Sequence, residues 1–527
     1  MKKILFLFFA FLCGSIFAGE RVPPVVLEPL PTEYRDELRR FQGIPSLAVT
    51  DNQNVWAAWY TGGVTEDQDN YVVVIHSADG GETWSKPLFA IDQPGAPRQY
   101  DPSLWYAPDG KLHLYWSQRP GEDGASADVY TISCENPNSV PVWQKNPEYV
   151  TAGIMMNKPI SDSRGRWIFP VSVWNVKWAE PEGFDQSSAG PSGAWFVVSE
   201  DEGKSYTKLG RGYTPPEMAL FDEHSIVEMK DGRFWMMNRT QRGIGNFYSS
   251  DGGKTWTDFQ PSEIPHTSSR TFLRRLKSGN LIFVKNGPID KDTGRSQMTA
   301  FISRDDGKTW EGGLLLDERV NVSYPDGDQT PDGTIFIIYD FERYGAKEIY
   351  VARVTEEDIL AGKIVSPGSR LKILANKAYG KSPWEQPELR DNADGKAWVN
   401  EPRAEFKTVT DGDEIVDFET GRKIFTNRVY VFNEVPDYLK GKRFIFSTID
   451  RTAAVCVREG MAYVMTPLKD RNSDSVIDYL TENGFEKVAK PEFILFGQSK
   501  NDAVTVFQKK VHVGEKIEFG KWGVLAF

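Results

Sequence analysis

Short apolar stretches rich in β-branched and aromatic residues recur along the first two thirds of the chain. Each follows a turn that ends in Gly or Asn, and a length of four or five residues is typical of a strand in a β-sheet. The stretches begin roughly fifty residues apart, which is the length of one four-stranded blade of a β-propeller. The six stretches are residues 55–59, 112–116, 167–170, 234–237, 281–284 and 335–339.

A second signal is the phrase Ser-x-Asp-x-Gly-x-[Thr/Ser]-[Trp/Tyr], which occurs four times, at residues 77–84, 199–206, 249–256 and 303–310. In each copy the Asp can accept hydrogen bonds from backbone N–H groups of its own turn, and the Gly supplies a positive φ. The aromatic residue can pack beneath the turn as an anchor. Each phrase therefore predicts a hairpin between two strands. Because the strands of a β-sandwich do not recur at this period, the two signals together predict an all-β, six-bladed β-propeller.

The propeller pattern stops after Val354, where the chain becomes richer in Pro, Lys and Ala. We expect the propeller over residues 19–365, a linker over 366–400 and a second, mostly β domain over 401–527. This domain has one predicted short helix, capped by Ser473 or Asp474 and ended at Gly484. It suits either a carbohydrate-binding accessory module or a packing partner for the propeller. Its predicted strands are residues 428–432, 443–446, 461–465, 503–507 and 522–527.

The charge balance restricts the partners. The 527 residues include 62 Lys and Arg against 74 Asp and Glu, a net charge of -12. This balance argues against a nucleic-acid partner, because phosphate binding needs a basic surface. No segment after the N-terminus is apolar for long enough to span a bilayer.

The first 18 residues predict export. They contain Lys2 and Lys3, an apolar stretch over residues 4–12 and Ala18 before Gly19, which is the layout of a secretory signal peptide. We therefore expect a periplasmic or extracellular protein. Cys13 also permits a lipoprotein interpretation, although the preceding Leu12 is larger than the residue that usually precedes a lipid-attached cysteine.

Three polar clusters fall where the loops of a propeller converge at one end of its channel. Glu223 and Arg239 lie at the two ends of one predicted hairpin, and strand pairing can bring these ends together. Arg295 heads a strand that leads into a copy of the repeated phrase, and Tyr324 precedes the sixth apolar stretch. Taken singly, each can also be an ordinary surface charge or rim aromatic. The 5 histidines lack metal-ligand spacing, so we predict no catalytic metal and no cofactor.

At these residues the chain resembles the sialidase superfamily, the glycoside hydrolase family 33 type with Asp-boxes, over about residues 41–354. The resemblance implies that Glu223 and Arg239 supply a carboxylate and an arginine, that Arg295 is a further arginine and that Tyr324 is the nucleophile. Sialic acid carries a carboxylate on its anomeric carbon, which arginines bind through paired hydrogen bonds. A neutral tyrosine avoids the repulsion that a carboxylate nucleophile would meet there.

The same resemblance implies a general base and a general acid. Glu223 accepts the proton of the tyrosine, and an aspartate in the loop before the first repeated phrase protonates the leaving oxygen. Within residues 62–70, counting back from Asp79 of the first repeated phrase favours Asp67 as this acid, with Glu66 and Asp69 as alternatives.

One departure from the family concerns the start of the first blade. Family members have Arg-Ile-Pro there, whereas this chain has Gly43-Ile44-Pro45. Because a glycine cannot bind a carboxylate, about 1.5–3 kcal/mol of sialic acid binding would be lost unless another arginine substitutes. The candidate substitutes are Arg39, Arg40 and Arg98.

The sequence thus predicts an exported exo-glycosidase that removes a terminal, acidic, sialic-acid-like sugar from a glycan. The alternatives are a glycosidase for a different sugar and a non-catalytic glycan-binding propeller. The sequence does not fix the oligomeric state.

Overall fold

The computed structural model describes residues 23–527 except 64–65, 67–68, 94–97, 120–126, 175–190, 266–268, 381–403, 408–412, 429, 433–434, 437–438, 440, 451–452, 469–474 and 496–502. The expected signal peptide, Asp67 and the candidate helix caps Ser473 and Asp474 lie outside the described residues. None of the helices within those described is long and apolar enough to cross a membrane.

Six antiparallel sheets follow one another along the chain, each built from strands that are neighbours in sequence. The first contains β1 (Val25–Leu27), β2 (Gln42–Val49), β3 (Val55–Thr61), β4 (Tyr71–Ser77) and β5 (Phe89–Asp92). The second contains β6 (Arg98–Tyr106), β7 (Leu112–Arg119), β8 (Asp128–Glu135), β9 (Val142–Trp143) and β10 (Glu148–Ala152). The third contains β11 (Ile160–Ser161), β12 (Trp167–Val173), β13 (Gly193–Ser199) and β14 (Thr207–Gly212).

The next three sheets repeat the same order of strands. The fourth contains β15 (Ser225–Glu228), β16 (Phe234–Thr240), β17 (Gly243–Ser249) and β18 (Gln260–Pro261). The fifth contains β19 (Phe272–Arg275), β20 (Leu281–Asn286), β21 (Ser296–Ser303) and β22 (Glu311–Val320). The sixth contains β23 (Val322–Gln329), β24 (Ile335–Phe341), β25 (Glu348–Val354) and β26 (Arg370–Lys377), with helix α1 (Glu356–Ala361) between its last two strands. A 3-10 turn, Thr32–Tyr34, follows β1.

The sequence signals fall at equivalent places in these sheets. Each of the six apolar stretches lies in β3, β7, β12, β16, β20 or β24, and each repeated phrase forms the turn between the third and fourth strands of the pattern. In the fourth sheet, Asp251 accepts hydrogen bonds from the Ser249 hydroxyl (2.9 Å), the Thr255 N–H (3.0 Å) and the Thr255 hydroxyl (2.6 Å). The sixth sheet continues to Lys377, so its last strand lies beyond the boundary expected at residue 365.

The six sheets close into a ring, because the sixth packs against the first. Asp326 in β23 accepts hydrogen bonds from the Ser46 hydroxyl (2.5 Å) and the Leu47 N–H (3.0 Å), both in β2. Apolar contacts also join neighbouring sheets: Trp105 of the second meets Trp167 of the third edge-on, with ring centroids 4.9 Å apart. Burial of these faces between sheets supplies the core. The fold is a six-bladed β-propeller.

Strand β2 of the first sheet, β6 of the second and β23 of the sixth share one irregularity. Their pairing registers shift within residues 43–46, 100–103 and 323–326. In each shift the residue before a proline has a positive φ: 55° for Ile44, 50° for Asp101 and 51° for Tyr324. This left-handed region is uncommon for residues other than glycine, and a bulge re-aims the side chain it carries. Asp101 and Tyr324 therefore occupy equivalent places on the second and sixth blades.

Two buried cations tie these strands together. Lys158 donates from Nζ to the carbonyls of Leu47 (2.6 Å) and Leu104 (2.5 Å) and pairs with Asp326 at 3.0 Å. Arg270, which is 1% exposed, donates to the carbonyls of Pro45 and Met156. Buried charges are tolerated only when they are paired or hydrogen-bonded in this way. The inner strands are therefore held in one fixed arrangement beneath the bulges.

The described residues of the C-terminal part form a mostly β unit and include one short helix, α2 (Ile477–Glu482). A three-stranded sheet contains β27 (Glu405–Lys407), β30 (Ala453–Arg458) and β34 (Lys516–Glu518). A six-stranded sheet contains β28 (Glu414–Asp417), β29 (Arg443–Phe446), β31 (Gly460–Pro467), β32 (Glu486–Ile494), β33 (Ala503–Val511) and β35 (Val524–Ala526). The strand predicted at residues 428–432 was wrong in the part that is described: Val431 makes only an isolated bridge with Lys423, while Phe432 enters the core and stacks on Phe418.

Candidate active site

Glu223 and Arg239 meet because of the register of the first hairpin in the fourth sheet. Ser225 of β15 pairs with Met237 of β16, so continuing the register by two residues places Glu223 opposite Arg239. Nη1 of Arg239 lies 2.9 Å from Oε1 and 2.8 Å from Oε2 of Glu223. The two side chains are 5% and 2% exposed. A buried carboxylate and a buried guanidinium thus compensate each other.

The backbone that carries Glu223 is fixed from several sides. Nδ2 of Asn157 donates to the carbonyls of Glu223 (3.2 Å) and His224 (2.9 Å). The preceding Asp222 accepts hydrogen bonds from the Asn238 amide (2.6 Å) and the Thr214 hydroxyl (3.0 Å). Such fixed backbone holds a catalytic side chain in one geometry without reorganisation.

Tyr324 lies beside this pair, in the bulge of β23, and is 6% exposed. Its left-handed backbone costs on the order of 1 kcal/mol, a strain that is typical of functional sites. Arg239 hydrogen-bonds to its side chain. Burial and the nearby charge of Glu223 raise the pKa of Tyr324, against the opposing effect of Arg295, Arg239 and Arg343. The phenol is therefore protonated at neutral pH and needs a base to become a nucleophile.

Two further guanidinium groups lie over the tyrosine ring. Cζ of Arg295 is 5.1 Å from the ring centroid of Tyr324, and Cζ of Arg343 is also 5.1 Å from it. The carbonyl of Arg295 accepts a hydrogen bond from the Val322 N–H at 3.1 Å, which ties the start of β21 to the start of β23. The structure thus brings the four sequence-predicted residues Tyr324, Glu223, Arg239 and Arg295 together, and it adds a third arginine.

The loop predicted to supply the acid reaches the same cluster through Glu66. Oε1 of Glu66 lies 2.5 Å from Nη1 of Arg343, and Oε2 lies 3.6 Å from Nη2 of Arg98. Burial disfavours ionisation of Glu66, but the two arginines outweigh it and lower its pKa to about 2. Glu66 is therefore ionised at neutral pH and cannot donate a proton in this arrangement. Asp67 lies outside the described residues, and Asp69 is exposed.

Of the arginines expected to substitute at position 43, Arg98 belongs to the cluster. Its Cζ lies 5.1 Å from the Tyr60 ring centroid and 4.6 Å from that of Tyr100, and its Nε donates to Asn70 at 2.9 Å. Arg39 is instead 1% exposed and bonded to Asp36 and Asn376, which gives it a structural role.

Asp101 and Arg343 were missed in the sequence. Asp101 is 2% exposed, and burial, opposed by Arg98, raises its pKa to about 7. The signal that could have found it is a shared position: Asp101 and Tyr324 each precede a proline, at the same distance from the apolar stretch of their blade. Arg343 lies in the hairpin loop between β24 and β25 and belongs to no repeated motif.

Comparisons with known proteins match the chain to one domain family and to two curated sialidases. The sequence profile of the BNR repeat-like domain matches residues 53–337. The chain is 25% identical over 340 residues to a sialidase of Bacteroides fragilis, an alignment that covers 56% of this chain and 59% of that protein. It is 26% identical over 383 residues to a sialidase of Micromonospora viridifaciens, covering 62% of this chain and 54% of that protein. The chain thus spans little more than half the length of these two curated relatives.

Among solved structures, the chain is similar to a leech intramolecular trans-sialidase. The superposition has a TM-score of 0.49 and 15% sequence identity, and it covers 63% of this chain and 71% of the leech protein.

Proposed function

The chain belongs to the BNR repeat-like domain family, and on this basis we propose that it is an exported exo-glycosidase of the sialidase type. Its similarity to two curated sialidases supports a sialidase-like glycosidase function with a glycan as substrate. The finer proposal is that Tyr324 attacks the anomeric carbon of a terminal sugar that carries a carboxylate.

The observation that carries this proposal is the convergence of three guanidinium groups and one carboxylate on Tyr324. Burial and Glu223 raise the pKa of Tyr324, and three arginines lower it. The four charged residues come from three different blades and are Glu223, Arg239, Arg295 and Arg343. A packing tyrosine does not require such a set of charges. Around a nucleophile, the cations can hold a carboxylate of the sugar and stabilise the phenolic oxygen, and the carboxylate can accept the phenolic proton.

In the first step, the Oη of Tyr324 forms a bond to the anomeric carbon while the glycosidic C–O bond breaks. The phenolic proton passes to Glu223, whose position is fixed by Arg239. As the proton moves, negative charge leaves Glu223 and develops on the phenolic oxygen, where Arg239 already donates a hydrogen bond. The guanidinium therefore stabilises the charge on either side of the transfer.

The leaving oxygen takes a proton from an acid on the loop over residues 62–70. Asp67 remains the proposed acid, since the ion pairs of Glu66 keep that neighbour ionised. In the second step, the oxygen of a water molecule forms a bond to the anomeric carbon while the bond between that carbon and the Oη of Tyr324 breaks, so the phenolic oxygen leaves. Glu223 returns its proton to that oxygen, and the ionised acid removes one proton from the water.

Export is part of the proposal and rests on residues 1–18. Expression of the full chain, fractionation of the cells and N-terminal sequencing of the mature protein test it. We expect a mature N-terminus at Gly19, and a protein retained with Met1 would contradict export.

Hydrolysis of a panel of aryl glycosides tests the proposed reaction. The purified chain is assayed with the aryl α-sialoside, with aryl glycosides of hexuronic acids and with neutral aryl hexosides. We expect release of the aryl alcohol from the α-sialoside and from none of the neutral sugars. Cleavage of neutral glycosides alone would leave the chain a glycosidase but refute the acidic substrate.

The alternative function is a glycan-binding propeller without turnover, and Gly43 is the observation that favours it. Binding of a sialoside by calorimetry, together with no detectable hydrolysis over days, would establish this alternative. The two functions also differ in their response to Tyr324→Phe, which removes hydrolysis but leaves the binding surface nearly unchanged.

A further inference from the structure

Gly43 is a glycine for reasons of space. Its φ is not positive, so its backbone accepts any residue. A Cβ at this position, however, would lie 2.2 Å from Cδ and 2.6 Å from Cγ of Arg343. The stem of Arg343 therefore occupies the volume into which any side chain at position 43 would extend.

The hairpin that carries Arg343 is tied to the same strand. The carbonyl of Arg343 accepts a hydrogen bond from the Gln42 N–H at 3.2 Å, next to Gly43. Within the hairpin, the carbonyl of Glu342 accepts from the N–H groups of Gly345 (3.0 Å) and Lys347 (2.8 Å). A hydrogen-bonded turn on the sixth blade thus positions the guanidinium of Arg343 at the site.

The end of this side chain already binds a carboxylate. Nη1 of Arg343 donates to Glu66, and within the described residues it is the only nitrogen of this guanidinium with a hydrogen-bond partner. An arginine carries five N–H donors, so this group retains donors for a second carboxylate. At 6% exposed it is also weakly hydrated, which strengthens a charge-assisted bond to a ligand.

We propose that Arg343 replaces the missing arginine of position 43 and makes the site specific for a sugar with a carboxylate on its anomeric carbon. This inference rests on the proposed function, since it assigns the substrate class of the same site. Arg239, Arg295 and Arg343 together surround Tyr324, as three cations must if they are to grip that carboxylate beside the nucleophile.

The experiment measures binding of two probes by calorimetry: the 2,3-didehydro derivative of sialic acid, with a free carboxylate, and its methyl ester. The ratio of their dissociation constants reports carboxylate recognition independently of turnover. Wild type is compared with Arg343→Gln, Arg343→Ala and the exchange variant Gly43→Arg/Arg343→Ala. Arg353→Ala is the matched control, because this arginine lies at the far end of β25 and pairs with Glu82.

We expect Arg343→Gln and Arg343→Ala to weaken binding of the acid about 10- to 100-fold and that of the ester less than threefold. The exchange variant should regain at least part of the acid's affinity, since the removed stem leaves room for an arginine at position 43. Arg353→Ala should match wild type. Thermal unfolding of each variant identifies any that is not folded. If Arg343→Ala does not fold, Arg343→Gln and the exchange variant decide the result.

The inference and the proposed function fail in different ways. Hydrolysis of the sialoside with an acid-to-ester ratio unchanged in Arg343→Gln would overturn the inference and leave the hydrolase intact. Binding of the acid without hydrolysis, lost in Arg343→Gln, would refute the hydrolase and support the inference. A wild-type protein that binds acid and ester equally, or neither, would overturn the inference.

Discussion

Nη1 of Arg239 lies within 2.9 Å of both carboxylate oxygens of Glu223, and neither side chain is more than 5% exposed. Removing one partner of such a pair leaves an uncompensated charge in a low-dielectric environment. The pair therefore supports the fold of the site as well as its chemistry.

Arg239→Met should lower the free energy of unfolding by about 3–5 kcal/mol, measured in urea at pH 7. Adding Glu223→Gln should restore part of this loss, because the buried charge is then absent. The control is Arg233→Met at the turn of the same hairpin, whose ion pair with Asp231 has side chains 45% and 51% exposed. That variant should change stability by less than about 1 kcal/mol, and equal losses in the two variants would contradict the role of burial.

Gly43→Ala tests the contact with Arg343 through stability. The new Cβ would lie 2.2 Å from Cδ of Arg343, so the arginine must move. We expect a loss of about 1–3 kcal/mol in thermal unfolding. In an Arg343→Ala background the same substitution should cost less, because the contacts with the arginine stem are absent and only the 3.0 Å contact with Oδ2 of Asp340 remains. We expect a coupling energy above about 0.5 kcal/mol. Additive effects would show that the two positions do not share one volume.

Asp101→Asn tests the buried carboxyl of the second blade. A pKa of about 7 in the folded chain, against about 3.9 unfolded, means that ionisation opposes folding. The contribution of the Asp101 carboxyl to the free energy of unfolding is therefore fully present below pH 4 and is lost as the pH rises toward 7. Between pH 4 and pH 8, the free energy of unfolding of Asp101→Asn in urea should therefore rise by about 2–4 kcal/mol relative to that of wild type. Asparagine is chosen because it accepts the left-handed φ of this position.

Asp326→Asn is the control, because the pKa of this buried carboxyl is shifted in the opposite direction. Burial also disfavours the charge of Asp326, but Lys158 and Arg270 outweigh it and lower its pKa. This variant should therefore destabilise the protein at pH 7. A pH-independent difference between Asp101→Asn and wild type would contradict the raised pKa of Asp101.

Asp305→Ala tests the repeated turn of the fifth blade. Asp305 accepts hydrogen bonds from the Thr309 N–H (2.9 Å), the Thr309 hydroxyl (2.7 Å) and the Ser303 hydroxyl (2.9 Å). These bonds lower its pKa to about 2, so their contribution is present above pH 4 and is lost as pH falls toward 2. We expect Asp305→Ala to lose about 1–2 kcal/mol of stability at pH 7 with unchanged hydrolysis per folded molecule. Altered KM would contradict a purely structural turn.

Much of the propeller could be predicted because its signals are local. The Asp251 turn depends on residues within eight positions of each other, and the apolar stretch of β16 depends on its own composition. The apolar stretch recurs in each of the six blades and the repeated phrase in four of them, so a period visible in the sequence gives the architecture. The prediction of a strand around Val431 was wrong because a short apolar run does not reveal whether a neighbouring strand will pair with it.

The site was only partly predictable, since register fixes some of its contacts and tertiary packing fixes others. Glu223 and Arg239 could be found because they lie on one hairpin with a regular register. Arg343 could not, because its contact with Gly43 joins the two ends of the propeller sequence across the ring closure. From the sequence, the missing arginine suggested Arg39, Arg40 or Arg98 as a substitute, and no local pattern pointed to Arg343.

Covalent trapping tests the central proposal, that Tyr324 is the nucleophile. The full chain is incubated with a difluorinated sialic acid, which forms the glycosyl–enzyme bond quickly and loses it slowly, and is then digested and examined by mass spectrometry. We expect the added sugar mass on the peptide that contains Tyr324, and no adduct in Tyr324→Phe. An active wild-type enzyme whose adduct lies on another residue, or persists in Tyr324→Phe, would contradict the proposal.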